Sequence, residues 1–187
     1  MGLKNSCTSD SSPMRDLTEM QASDLLKSRG ECIALWKIHA TNKYNAVRLL
    51  WDASTIGRLD GDPESGVQTL TNEIQLLMGL SLENLLEALI IQNGSAEFPT
   101  KLRSIHGTNH NLMALIKEVG CDIESTESEM ITDCIYRWST CVSWRGRYPI
   151  PTNAKYLTRP ISGSNGQDFK IFDALFKRFN GMLVDGI

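Results

Sequence analysis

The chain predicts an all-α fold, and three observations predict it. Apolar residues recur at spacings of three and four through several long windows. Period-two alternation never persists, so no substantial sheet is expected. Clusters of Gly, Pro and Asn separate the apolar windows, leaving an up-and-down helical bundle of four main helices plus a C-terminal helix.

Residues 1–27 read as a polar N-terminal tail with a short helical segment from about Thr18 to Lys27. Residues 28–187 read as the bundle. Its first helix spans about Glu31 to Asp52, where Trp36, Ala40, Tyr44, Val47 and Trp51 keep helical spacing. Trp36 and Trp138 are expected in the core. The glycines at 57, 61 and 66, with Pro63, make Ala53–Gly66 a loop. The second helix, about Gln68 to Gln92, carries a wide stripe of Leu, Ile and Met and ends at Asn93-Gly94. Gly79 is a candidate bend. A third, shorter helix opens near Thr108 or Asn109, buries Leu112, Leu115, Ile116 and Val119, and stops at Gly120. Thr126 and Glu129 form a capping box for the fourth helix, whose inner face is Ile131, Cys134, Ile135, Trp138 and Val142. Pro149 and Pro151 force an extended segment after it. The last helix runs from about Asp168 to Asn180, turns Ile171, Phe172, Leu175, Phe176 and Phe179 inward, and ends at Gly181.

With 187 residues the chain can enclose one full core, and its net charge of −3 supplies no global field to attract nucleic acid. Nucleic-acid binding would therefore need a local patch. Five cysteines without a C-x-x-C pair imply neither a disulfide framework nor a zinc ribbon, and fit a reducing compartment. Cys134 and Cys141 lie seven apart, as small buried groups on one helix face. No apolar run reaches the ~20 residues of a membrane span, so the reading is cytoplasmic with no membrane partner. Met1-Gly2 through Ser6 matches the myristoylation pattern, with Cys7 as a second acyl position, although a frayed polar terminus is the simpler reading.

The residues able to carry chemistry gather in two segments. Lys101, Arg103, His110 and Asn111 precede or open the third helix; Arg145, Arg147 and Tyr148 follow the fourth. In an up-and-down bundle those two ends share a pole. Four cations and the free N–H groups of the third helix would together suit a phosphate. The aromatic platform available there is Trp144.

The order of a long first helix, a Leu-rich second, the segment His110-Asn111-Leu112-x-x-Leu115 and a fourth helix closing in Arg147-Tyr148-Pro149 resembles the HEPN superfamily, the nucleotide-binding bundles of higher eukaryotes and prokaryotes. The resemblance covers about Glu31 to Ile150. It implies a helical bundle, frequently dimeric, that binds nucleotide or RNA; some members are metal-independent RNases of toxin–antitoxin and defence systems. Those RNases carry an arginine followed after four to six residues by a histidine. Arg103 and His110 satisfy that count, although they stand before the third helix rather than beside a later one. Arg137, in the fourth helix, has no histidine after it.

Three functions therefore stand open. The first is a module that binds nucleotide or RNA at the Lys101, Arg103, His110, Asn111, Arg145, Arg147, Tyr148 pole without strong catalysis. The second is a metal-independent endoribonuclease in which His110 takes the 2′-OH proton and Arg103 meets the phosphate. The third is a non-enzymatic dimerisation or interaction module, for which an exposed apolar patch is the signature. Expected partners are a nucleotide or RNA, a second copy of the chain, and an antitoxin-like protein. The other reading of His110 and Asn111 is a helix cap or a loop contact. No cofactor or metal is expected: Gly107 between His106 and His110 breaks the helical register that would let both imidazoles share a face. His39 is assigned no role.

Overall fold

Every residue from Ser81 to Ile90 is buried, in a stretch where Leu, Ile and Ala alternate with Ser, Glu and Asn. A helix apolar enough to be covered all round belongs at the centre of a domain, and this one is there. The computed structural model describes residues 19–59, 71–94, 110–123, 128–145 and 166–184. Within them lie α1 (Glu19–Gly30), α2 (Ile33–Leu59), α3 (Thr71–Gln92), α4 (Leu112–Glu118), α5 (Ser128–Thr140) with a π-helical turn over Cys141–Arg145, and α6 (Gly166–Met182). No strand occurs among the described residues, so the all-α class holds.

Central α3 packs against α2 along much of its length and also touches α4, α5, the π turn and α6. By length and composition α3 could cross a membrane, yet 78% of its most apolar stretch is buried inside the molecule. The core accounts for that apolar character. Gly79 serves close packing: a Cβ there would collide with Val142 Cγ2 and lie 2.9 Å from the Trp138 carbonyl oxygen. Gly79, the candidate bend, is where α3 meets α5 as it passes into its π turn.

Aromatic rings join α2 to α6. Tyr44 stacks on Phe176 with centroids 4.1 Å apart, and Trp51 stacks on Phe169 at 5.2 Å. Trp138 meets Phe172 edge-on at 6.0 Å. Trp138 is fully buried, as its spacing predicts, whereas Trp36 packs against the core with one side left to solvent.

Several boundaries differ from the sequence reading, each for a local reason. Helix α2 continues through Ala53 to Leu59, because one glycine at 57 costs only about 1 kcal/mol within a long helix. Helix α4 begins at Leu112, later than expected, because Asn111 takes the cap and His110 adopts a left-handed φ of 45°. Helix α6 passes Gly181 to Met182 and ends where Gln92 receives it. The Gln92 amide donates to the Met182 carbonyl (3.0 Å) and accepts from the Val184 N–H (2.8 Å). Gly120, at φ +73°, follows α4 as predicted. Thr126, Trp144's side chain and the lipidation pattern at Gly2 and Cys7 lie outside the described residues.

A buried ion pair fixes α6 to α5. Arg137 donates from both terminal nitrogens to Asp168, at 2.6 and 2.9 Å, from Nε to Asp133 at 2.9 Å, and to the Cys134 sulfur at 3.2 Å. Arg137 and Asp168 are both buried. The hydrogen bonds to Asp168 raise the guanidinium's pKa further above its ordinary value. Burial and the Asp168 charge push the Cys134 thiol up to about 12, so it stays protonated and unreactive at neutral pH.

Removing one member of such a pair strands a charge in the core. Arg137→Leu should destabilise the protein by about 3–5 kcal/mol in urea unfolding, and Arg137→Leu with Asp168→Leu by clearly less. A double variant as damaged as the single one would contradict this account.

A second link between α2 and α6 carries a pH dependence. Tyr44 Oη and Lys177 Nζ donate to opposite oxygens of Asp173, at 2.5 and 2.6 Å. Burial alone would raise the Asp173 pKa, but the two hydrogen bonds outweigh it and hold the carboxyl below its ordinary value. A depressed carboxylate stabilises the fold above its unfolded pKa, and that contribution is lost as pH falls through the folded one. Asp173→Asn should therefore cost roughly 1 kcal/mol at pH 7 and much less near pH 2, read from urea midpoints at both.

Candidate functional site

Helix α3 buries polar side chains that a central helix must satisfy from its neighbours. The Cys141 thiol donates to Gln75 at 3.3 Å, and the Ser81 hydroxyl donates to the Ala40 carbonyl of α2 at 2.8 Å. Glu83 and Glu87, one turn apart, are buried carboxylates and need charge partners. Two come from different directions. Lys43 of α2 faces both, and desolvation lowers its pKa while the two carboxylates raise it in partial compensation. From the chain before α4 comes His110, whose Nδ1 lies 2.7 Å from Glu83 Oε1.

The His110 contact has a backbone basis. A left-handed φ at a non-glycine residue is uncommon and persists where surroundings hold it. Here the next residue, Asn111, is extended and accepts the Ala114 N–H at its side-chain oxygen (3.2 Å), which starts α4. The Leu112 N–H reaches the Ser139 hydroxyl of α5 at 3.2 Å. Ser139 in turn donates to the Ile135 carbonyl. The chain is therefore pinned just after His110, and the imidazole meets Glu83.

This geometry bears on the predicted pole piece by piece. His110 and Asn111 lie together at the start of α4, which rests against the C-terminal half of α5 through Ser139. Arg145 closes the π turn six residues beyond Ser139. Lys101, Arg103, Arg147, Tyr148 and the side chain of Arg145 lie outside the described residues, as does His106. The backbone dipole expected at α4 is partly used up: two of its first N–H groups already have side-chain acceptors, and the helix is only seven residues long. Asn111 acts as a cap. Arg137 has its donors committed to Asp133, Cys134 and Asp168 and serves the core.

Chemically, a carboxylate on Nδ1 fixes an imidazole's orientation and favours the tautomer that presents Nε2 as an acceptor. That arrangement accepts a proton or binds a hydroxyl. Groups of three or more metal-ligating side chains are absent among the described residues, so the Glu83–His110 pair is not part of a clustered metal site there. Sequence reasoning found His110 but missed Glu83, Glu87 and Lys43. Glutamates inside a leucine-rich window were the available signal, since a helix buried all round gives its acids no solvent to face.

No family model matches the chain, and comparison with curated proteins and with solved structures returns no match.

Proposed function

We propose that the chain is a HEPN-like up-and-down bundle that binds nucleotide or RNA where α4 begins beside the end of α5, without strong catalysis. The observation that carries this reading is the imidazole of His110, clamped by buried Glu83 at the start of α4. Its ring is part-exposed while its partner is buried, so the imidazole stands at the surface with the carboxylate behind it. Lys101, Arg103, Arg145 and Arg147 supply the phosphate contacts in this reading, and Tyr148 a stacking face. A polar group oriented from behind and cations in front suit recognition of a sugar–phosphate. If the site also cleaves, His110 accepts the 2′-OH proton, Glu83 steadies the imidazolium, and Arg103 neutralises the phosphate.

Titration of fluorescein-labelled single-stranded RNA and of ATP or GTP should show binding that weakens with salt. Arg103→Ala with Arg147→Ala should lower affinity at least tenfold, and His110→Ala or Glu83→Gln by a smaller factor. Unchanged affinity in the arginine double variant would remove the site; RNA cleavage abolished by His110→Ala would promote the endoribonuclease reading over simple binding.

A second reading is favoured by the outer face of α2. Leu35, Ile38 and Leu49 are 37%, 53% and 72% exposed, and Asn42 and Asn45 fill the same stripe at alternating steps of three and four. An exposed helix face ordinarily carries charge; this one is nearly free of it, which is the composition of an interface centre. In this reading the stripe pairs with a second copy, or with an antitoxin-like protein, in the cytoplasm. Light scattering on the eluting protein should give twice the monomer mass, and Ile38→Glu with Leu49→Glu should return it to 20.9 kDa without loss of helicity. A wild-type monomer at all concentrations would exclude the self-pairing form.

A further inference from the structure

A groove of about 680 Å³ opens between the end of α1, the first half of α2 and the middle of α3. Its walls are unlike in chemistry. Leu26, Leu35 and Trp36 supply apolar surface, while Arg29, His39 and Lys43 bring nitrogen donors. The Trp36 indole is fixed, because its N–H donates to the Gly30 carbonyl at 2.6 Å. That bond also holds the last turn of α1 over the groove.

Asn84 is what makes the groove more than a gap between helices. It is only 8% exposed, lines the groove, and makes no hydrogen bond or ion pair among the described residues. Its amide nitrogen and oxygen are not sealed from solvent, and the groove is where they are reached. The Arg29 guanidinium and the His39 ring are likewise without a hydrogen bond or ion pair among the described residues. Lys43 has one long hydrogen bond to the His39 carbonyl, at 3.5 Å.

The charges select the ligand. Lys43 faces Glu83 and Glu87, whose charges offset part of its desolvation. Arg29 has no acid partner among the described residues, and its guanidinium fork matches a carboxylate in two-point geometry. A phosphate dianion would exceed what the groove offers and would sit near two buried carboxylates. The apolar walls and volume accommodate a planar body of drug-like size.

We propose that this groove binds a small aromatic carboxylic acid, with its carboxylate on Arg29, its ring against Trp36, Leu26 and Leu35, and a polar substituent or the second carboxylate oxygen on the Asn84 amide. The site uses none of the residues of the His110 pole and stands independently of nucleotide or RNA binding there.

Calorimetric titration of the full chain with 2-naphthoate tests it, against the neutral 2-naphthalenemethanol, octanoate and AMP. The acid should bind at least tenfold more tightly than the alcohol and more tightly than octanoate. Arg29→Ala should weaken the acid about tenfold or more, the usual scale for a lost charge-assisted hydrogen bond, and leave the alcohol unchanged. Arg29 is exposed at a helix end, so this variant does not threaten folding. Asn84→Leu, checked for native helicity, should weaken the acid as well. Arg103→Ala with Arg147→Ala should leave it untouched, which separates this groove from the pole. Equal affinity for acid and alcohol, indifference to Arg29→Ala, no binding of 2-naphthoate at millimolar concentration, or tighter binding of AMP each overturns the proposal.

Discussion

Helix α3 has almost no face left for water, and the rest of the structure follows from that. A helix in such a position must either be wholly apolar or have each polar side chain met by another element. This one carries Gln75, Ser81, Glu83, Asn84 and Glu87. The π turn answers Gln75, the α2 backbone answers Ser81, and Lys43 with His110 answers the two acids. Each answer also fixes where its own element sits. The His110 contact is thus a constraint on the chain leading into α4 as well as a candidate site, and the strained φ at His110 is the local cost of reaching Glu83.

The helices were legible because their signal is local. Spacings of three and four mark α2, α3, α5 and α6 directly, and the inward residues Ile171, Phe172, Leu175, Phe176 and Phe179 are all buried as read. Two of the differing ends have a common cause. Glycine was read as a stop at 57 and 181, whereas its helix penalty is small beside the tertiary packing that holds a long helix. At 120 the glycine takes a positive φ and does end the helix region. Backbone conformation separates these cases, and composition does not show it. The π turn left no legible trace in the sequence either, and neither did its close packing on the bare Cα of Gly79.

The site was half legible for a different reason. A histidine followed by Asn-Leu at a helix start is visible in one segment, but its carboxylate partner lies 27 positions away on another helix. The same holds for Arg29 and Asn84, which only the tertiary arrangement brings to one groove. Glu83 and Glu87 would ordinarily be assigned to a solvated face. What distinguished them was their setting in an uninterrupted leucine-rich window, where no solvated face exists.

Two kinds of buried polarity therefore coexist in this fold, and they point to different roles. Around Arg137 the account is closed: the donors meet two carboxylates and the Cys134 sulfur, and that thiol is held neutral. Nothing there is available to a ligand, which is why an arginine in the penultimate helix is a brace even though its position invites a catalytic reading. Around α3 the account is open. His110 meets Glu83 and is part-exposed, and Asn84 lines a groove with its amide open to it. A closed network fixes the structure, whereas a polar group on the wall of a groove or at the surface can exchange water for a ligand. The functional surfaces of this protein should accordingly be sought along α3, where the core leaves its polar groups incompletely answered.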